Sequence, residues 1–316
     1  MNIENKSKGL LSVIIPCYNA AKYLVQCFCT LQQQSYENWE AICVDDGSRD
    51  DTLLVLQKYA LADIRIKVFT QQNQGAAKAR EYGISKATGD YLTFLDVDDT
   101  LSPKALQTMV DAFTSDTDIV ISGFNVLKQG KIIKSKTLCS VLFDNLSYLK
   151  KVLCGQYGWE LCAKMYRRTL FLDPIETPSG IRIGEDAAVF IQLVCRARNV
   201  KILSECLYDY IQYSQSASHI KSLKYAEETL MAAFFIEEIL QKTPFYADVR
   251  SEIDAMFLLF YSNSTRRGCL GKEHPLVRKI RKEHFRFSAF RKIPFYKSVY
   301  VCLHYFTMPV TKECHN

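Results

Sequence analysis

The stretch Tyr91-Leu92-Thr93-Phe94-Leu95-Asp96-Val97-Asp98-Asp99 constrains this chain most, because it is an apolar run that ends abruptly in three carboxylates. Its apolar and β-favouring residues suit a strand covered on both faces, with the acids beginning where the strand leaves the sheet. If the backbone stays extended, side chains two apart share a face, so Asp96 and Asp98 point at one ligand while Val97 packs back. Hard oxygen donors at this spacing suit Mg²⁺ or Mn²⁺, which bind through one or two carboxylates and take their other ligands from water and substrate phosphates. The alternative is an acidic loop capping the next helix, with Asp99 or Ser102 as N-cap before Pro103.

What precedes this stretch bears on the choice. Leu11 to Pro16 is a β-branched run halted by proline, and an amphipathic segment follows to about Gln34. Trp39 to Val44 is a second apolar strand ending in Asp45-Asp46-Gly47-Ser48, with a helix from Thr52 capped by Asp50 or Asp51. Arg65 to Phe69 reads as a third strand, followed by Gln71 to Gly75 and a helix from Ala76 to Lys86 that carries Arg80. Such alternation implies a mostly parallel sheet wrapped by helices, with ligands beyond the strands' C-terminal ends. Those ends hold Pro16 to Asn19, Asp45 to Ser48, Gln74-Gly75 and Asp96 to Asp99. The order suits a nucleotide site, yet no glycine-rich phosphate loop is present. A metal on Asp98, helped by Arg80, is left to hold phosphate.

Beyond Pro103 the expected elements are a helix to about Phe113, a strand Asp118 to Gly123, and a hairpin turning at Gln129-Gly130. A helix over Leu146 to Leu153 and another over Ala187 to Cys195 follow, then strands at Lys201 to Leu203 and Leu207 to Gln212. From Leu223 the chain reads as helical, with Tyr225 to Leu240 and Val249 to Tyr261 as the main segments. After Gly271 it turns basic, with Lys279, Arg281, Lys282, Arg286, Arg291 and Lys292 interleaved with aromatics. That tail fits either a solvated helical face or a surface for anionic lipid.

With 316 residues, 48% of them hydrophobic, the chain can bury a full core, and its net charge of +6 does not by itself argue for nucleic acid. Many of its 12 cysteines sit in apolar runs without Cys-x-x-Cys spacing, which reads as reduced core thiols of a cytosolic protein. Met1 to Gly9 is polar rather than a signal peptide, and no apolar stretch approaches the roughly 20 residues that span a bilayer.

The combination of Val13 to Asn19, Val44-Asp45-Asp46-Gly47-Ser48, Asn73-Gln74-Gly75 with Arg80, and Phe94 to Asp99 resembles the family 2 glycosyltransferases of GT-A fold. Trp159, Lys164 to Arg167 and Glu185-Asp186 look like that family's acceptor-side motifs, so the resemblance reaches about His219. It implies an α/β, Rossmann-like fold with a mostly parallel central sheet flanked by helices and a helical C-terminal region. The expected division is a transferase domain over residues 1–220, with a donor half to about 100 and an acceptor half after it, and a basic helical region over 221–316.

The activity implied is inverting, metal-dependent transfer of a sugar from a nucleotide-sugar, usually a UDP-sugar, to a saccharide or lipid-linked saccharide in surface polysaccharide biosynthesis. Carried over, Pro16, Tyr18, Asn19, Asp45 and Asp46 border the nucleotide, with Asp46 accepting from the base's ring N–H. Arg80 lies near the diphosphate or base, and Val97 stands where relatives often have Ser or Ala. Asp98 holds Mn²⁺ or Mg²⁺, Asp96 the ribose or a water of the metal's shell, and His219 is a further metal ligand. Asp186 is the catalytic base, with Trp159 and Glu185 on the acceptor side. Glu185 and Asp186 also suit plain helix N-terminal acids, and Trp159 also suits the core. Tyr208 to Gln212 departs from the Tyr-x-Tyr-Arg of many relatives, which touches the late donor contacts. The location implied is cytoplasmic, at the inner face of the membrane if the tail binds lipid. The alternative is a non-catalytic sugar-binding or nucleotide-binding module with a degenerate transferase fold, against which intact Asp96, Asp98 and Asp186 speak. Nucleic-acid binding through the tail would show salt-sensitive affinity without need of the carboxylates, and no specific nucleic-acid partner is expected.

Overall fold

Strand β1 (Leu11–Cys17) is buried along almost its whole length, because parallel neighbours flank it and helices cover it. On one side lies β2 (Trp39–Asp45), buried throughout and in turn beside β3 (Ile66–Thr70); on the other lies β4 (Tyr91–Phe94). Helices α1 (Ala21–Gln32), α2 (Thr52–Ala62) and α3 (Ala76–Lys86) connect these strands, as the alternating pattern requires. The computed structural model describes residues 9–178, 180–213, 221–268 and 270–307.

The sheet continues past β4 through short β9 (Lys164–Arg167), antiparallel to both its neighbours, to β6 (Thr117–Lys128) and β10 (Asn199–Ile211), which run parallel to each other. Small antiparallel additions complete it: β5 (Thr100–Leu101) and β8 (Val141–Asp144) on β10, and β7 (Lys131–Lys136) on β6. The β6–β7 turn has positive φ at both Gln129 and Gly130, as a tight hairpin demands. Helix α4 (Ala105–Asp111) follows β5 and carries no side-chain cap, so neither Asp99 nor Ser102 serves as its N-cap.

β1 and β4 pair only from Leu11↔Tyr91 to Ile14↔Phe94, whereas β1 and β2 stay paired to Cys17↔Asp45. Pro16, which has no N–H to give, therefore falls where the β4 side has already ended. The divergence opens a crevice at the carboxyl ends of β1 and β4, the place where sheets of this kind bind ligands. On α3, Gly83 lets the helix come close: a Cβ there would meet Ile14 Cγ2 at 2.7 Å.

The chain divides into two compact units. The sheet unit takes its residues from Met1–Asp144, Leu161–Pro174 and Arg196–Ser214, and the helical unit from Asn145–Glu160, Ile175–Cys195 and Gln215–Asn316. The helical unit contains α5 (Asn145–Leu153), α6 (Glu185–Arg196) up to Cys195, α7 (Leu223–Gln241), α8 (Arg250–Arg267), α9 (Pro275–Glu283), α10 (Phe287–Phe290) and α11 (Phe295–Thr307). Its core is the α7–α8 pair, where Phe234 meets Phe257 and His284 stacks on Phe257 while bonded to buried Asp254 at 2.9 Å. None of the described cysteines forms a disulfide, and no described helix is long and apolar enough to cross a membrane.

Candidate active site

The loops after β1 and β2 are tied together by side chains that accept from backbone. Asn19 holds a left-handed φ of 48°, donates its N–H to Ser48 Oγ at 3.0 Å and accepts from Arg49 N–H through Oδ1 at 2.8 Å. Ala20 N–H donates to Thr52 Oγ1 at 2.7 Å, and Asp50 accepts from Thr52 N–H at 3.1 Å. A non-glycine residue in that region costs energy that these bonds offset, which pins Tyr18 beside the crevice with 46% of its surface exposed.

Asp46 is buried and organises the next loop. Its Oδ1 accepts from Gln71 Nε2 at 2.8 Å and from Gln74 N–H at 2.9 Å, and its Oδ2 from Gly75 N–H at 2.8 Å, just ahead of α3. Asp45, also buried, faces Ser48 N–H at 3.3 Å. Pro16 is half-buried at the end of β1. The Asp45-Asp46-Gly47-Ser48 motif therefore holds its own loops in place as well as facing the crevice.

The carboxylates after β4 do not continue the strand. β4 stops at Phe94, and Asp99 N–H donates to Asp96 O at 3.0 Å, so Asp96 to Asp99 form a turn rather than an extended segment with alternating faces. Their placement comes instead from specific partners. Arg80 Nη2 on α3 donates to Asp96 Oδ1 at 2.9 Å. Val97 packs against the sheet core. Asp98 is half-buried, and its carboxyl is pushed up, first by burial and then by the charge of Asp96.

Asp99 is 2% exposed and is held from β10: Tyr208 Oη donates to its Oδ2 at 2.6 Å and Ile211 N–H to its Oδ1 at 2.8 Å. Burial first, and the Asp96 charge second, push its carboxyl well above the usual carboxylate range. The Tyr208 hydroxyl also accepts from Asp96 N–H at 3.3 Å, so one buried phenol fixes both ends of the acidic turn. Sequence reasoning missed this clamp. Its only trace was the tyrosine in the Tyr208 to Gln212 departure, 109 residues away in the chain. Tyr208→Phe should lower unfolding stability by about 1 to 3 kcal/mol, the cost of leaving a buried acceptor short of a donor. Urea denaturation measures it, and an unchanged midpoint would show that Asp99 does not depend on the phenol.

Trp159, Glu185 and Asp186, the residues expected on the acceptor side, belong to the helical unit. Glu185 and Asp186 form the first turn of α6, both half-buried. Gly184 before them has a φ of 94°, and a Cβ there would meet Ala232 Cβ at 2.7 Å and Phe260 Cε1 at 3.4 Å, so the start of α6 sits hard against α7 and α8. Trp159, half-buried, packs on the same Phe260 at 4.8 Å between ring centroids. Trp159 and Gly184, the residue ahead of the α6 acids, are therefore both close to the Phe260 ring. Lys164 and Arg167 are not part of that grouping: Lys164 is buried in β9, and Arg167 donates to Thr117 O at 2.7 Å beside Asp118, holding the start of β6. His219 lies outside the described residues.

A divalent cation would find two hard donors here, Asp98 and Asp96. No group of three His, Cys, Asp or Glu side chains among the described residues is arranged to hold a metal. The fit is that of Mg²⁺ or Mn²⁺, which take one or two carboxylates and fill the shell from phosphate and water. The raised Asp98 carboxyl, set beside another acid, is consistent with a place for a cation.

Residues 12–170 match the model of the family described as Glycosyl transferase family 2. The chain is 31% identical over 220 residues to the putative teichuronic acid biosynthesis glycosyltransferase TuaG of Bacillus subtilis, covering 68% of this chain and 83% of that protein. It is 39% identical over 117 residues to glycosyltransferase GlyG of Streptococcus pneumoniae, covering 36% of this chain and 39% of that one, so it spans well under half of that relative. In structure it is similar to S. aureus TarS, solved in complex with UDP-GlcNAc, with a TM-score of 0.64 and 18% identity over 91% of this chain and 82% of the other. The mixed α/β sheet, parallel in its core, with a helical C-terminal region, is thus the fold expected from the sequence motifs.

Proposed function

Since this chain belongs to glycosyl transferase family 2, and is therefore a glycosyltransferase, we propose that it moves a sugar from a UDP-sugar to a hydroxyl acceptor with inversion at the anomeric carbon, in the assembly of a surface polysaccharide. The observation that supports this reading is that α3 is tied at its start to Asp46, through Gly75 N–H, and through Arg80 to Asp96 in the acidic turn after β4, where β1 and β4 part. TuaG's name assigns it to teichuronic acid biosynthesis and TarS was solved with UDP-GlcNAc, and both support the choice.

Each residue has a defined task in this reading. Tyr18 offers an exposed ring face to the base. Asp46 has three of its roughly four acceptor positions occupied, leaving one for the base's ring N–H. Arg80, steadied by Asp96, supplies positive charge beside the diphosphate. Asp98, with Asp96, holds Mn²⁺ or Mg²⁺, and such a cation supplies neutralisation of the charge that gathers on the departing nucleotide. Asp186 accepts the proton of the attacking hydroxyl, and Trp159 offers a ring to the acceptor sugar. The acceptor is a saccharide or lipid-linked saccharide in the cytoplasm, and a lipid-linked one would be met at the inner face of the membrane.

A donor panel tests the reading. Release of free sugar and UDP should be fastest with one UDP-sugar, and faster with Mn²⁺ than with EDTA. Equal, background hydrolysis of every donor in both conditions would leave a binding module with a transferase fold.

A further inference from the structure

The loop after β3 is held to the loop after β2 by its backbone before any side chain of it reaches Asp46. Gln71 N–H donates to Asp45 O at 3.0 Å, which extends the β2–β3 pairing by one residue. Gly47, at a φ of 68°, lets the two loops close: a Cβ there would come within 3.0 Å of Asn73 N and 3.3 Å of Gln71 O. Gln74 N–H and Gly75 N–H then donate to Asp46 at 2.9 and 2.8 Å. The loop is thus closed by backbone donors alone, yet the half-buried Gln71 side chain adds a further donor, its Nε2 lying 2.8 Å from Asp46 Oδ1. That bond changes what Asp46 has left to offer.

A carboxylate has roughly four acceptor positions, about two on each oxygen. Among the described residues, Gln71 Nε2 and Gln74 N–H fill both on Oδ1, and Gly75 N–H takes one on Oδ2. A single acceptor remains, on Oδ2. Base edges differ in what they bring to it. Uracil presents one ring N–H between two carbonyls, which a single acceptor satisfies. Guanine presents a ring N–H and an exocyclic amine side by side, and these need both oxygens of one carboxylate. Cytosine presents a ring nitrogen without hydrogen, whose lone pair would face the carboxylate. A polar group that a site leaves unpaired is rejected strongly.

We propose that Gln71 sets the base selectivity of the donor site: by filling Oδ1 of Asp46 it leaves one acceptor, which admits uracil and refuses guanine. This rests on the reading of Asp46 as acceptor of the base's ring N–H. It adds a positioning residue that acts through Asp46 without touching the nucleotide.

The test is calorimetric titration of the full chain with UDP, CDP, IDP and GDP, Mn²⁺ being present throughout, in the parent and in Gln71→Met. That substitution keeps the length of the side chain and removes its donor. The diphosphate is common to all four ligands, so their ratios report the base. Hypoxanthine carries one ring N–H on a purine, so GDP against IDP holds ring size fixed and reads the exocyclic amine. The parent should bind UDP best, and IDP more tightly than GDP. In Gln71→Met, GDP should gain about tenfold to a hundredfold on IDP, the usual worth of an N–H donated to a carboxylate. CDP should stay rejected, and UDP should stay within about tenfold of the parent. Gln71→Leu should repeat the shift, while Gln72→Leu, at the exposed neighbouring position, should keep the parent's order. A GDP-to-IDP ratio unchanged in folded Gln71→Met would overturn the inference, as would purine nucleotides that both Gln71 variants leave unbound. Failure of both to fold, read from a thermal melt, would make Gln71 structural and overturn it too. In each of these cases a parent that prefers UDP to CDP leaves the donor reading standing. A parent that binds CDP as well as UDP would instead remove Asp46 from the base, and the UDP-sugar reading with it.

Discussion

Asp186→Asn is expected to slow sugar transfer by about 10² to 10⁴-fold, the usual worth of a positioned proton transfer, while UDP affinity stays nearly unchanged. Inversion needs one carboxylate on the acceptor side of the sugar, separate from the acids that hold the donor, and no second protein nucleophile. Asp186 is the carboxylate proposed for that task because it stands in the first turn of α6, remote in sequence from Asp46, Asp96 and Asp98. The close packing of Gly184 on Ala232 and Phe260 fixes where α6 begins. The amide is nearly isosteric with the acid, and losing a charge at a helix N-terminus costs about 0.3 to 1 kcal/mol. Glu185→Gln should cost the same in stability and much less in turnover, because neighbouring helix positions project about 100° apart. Single-turnover kinetics with bound donor separates the two. Normal turnover in Asp186→Asn, or product NMR showing a retained anomeric configuration, would remove the assignment.

How much of this was legible in the sequence depended on the range over which each feature is determined. β1, β2 and β4 announce themselves because a parallel strand covered on both faces must be apolar throughout, and α3 matched its expected bounds because Gly75 and Ala87 close it locally. β10 was read as two strands since Ser204, Glu205 and Cys206 break the apolar run. The structure keeps one strand there by shifting register between Ile202 and Cys206 and again before Tyr208. β8 went unread because only alternate residues are half-buried, and β5 because it is two residues long.

The motif acids were legible as residue types but not as geometry. The end of the strand was legible, but nothing near Asp96 in the chain says that Asp96 to Asp99 turn instead of alternating faces, because the partners that hold Asp96, Arg80 and Tyr208, come from α3 and β10. The same limit hid the pairing of Lys292 with Glu252 and of Arg286 with Asp254, which offsets part of the tail's charge. Charge can be counted from sequence, but its compensation by buried acids on another helix cannot.

Asp98→Asn should abolish the gain in UDP affinity that Mn²⁺ gives, and lower turnover by several orders of magnitude, because among the described residues no free carboxylate stands beside it to take over its role. Asp96, the second carboxylate proposed for the cation, is shared with Arg80 and does not suffice alone, Asp99 accepts from Tyr208 and Ile211 in a buried position, and no glycine-rich loop cradles phosphate. Two opposed effects follow from removing the Asp98 charge. Repulsion within the acidic turn falls, which favours folding, since burial and Asp96 already push the Asp98 carboxyl up. Attraction for a divalent cation falls as well, and with it the neutralisation of the diphosphate. The variant should therefore be as stable as the parent or slightly more so, yet bind UDP equally with EDTA and with Mn²⁺. Calorimetry of UDP binding in both conditions, beside a thermal melt, reads the two effects separately. Parent protein whose UDP affinity is indifferent to EDTA would refute the metal assignment outright. An Asp98→Asn variant that melts early would instead show that the carboxylate is structural.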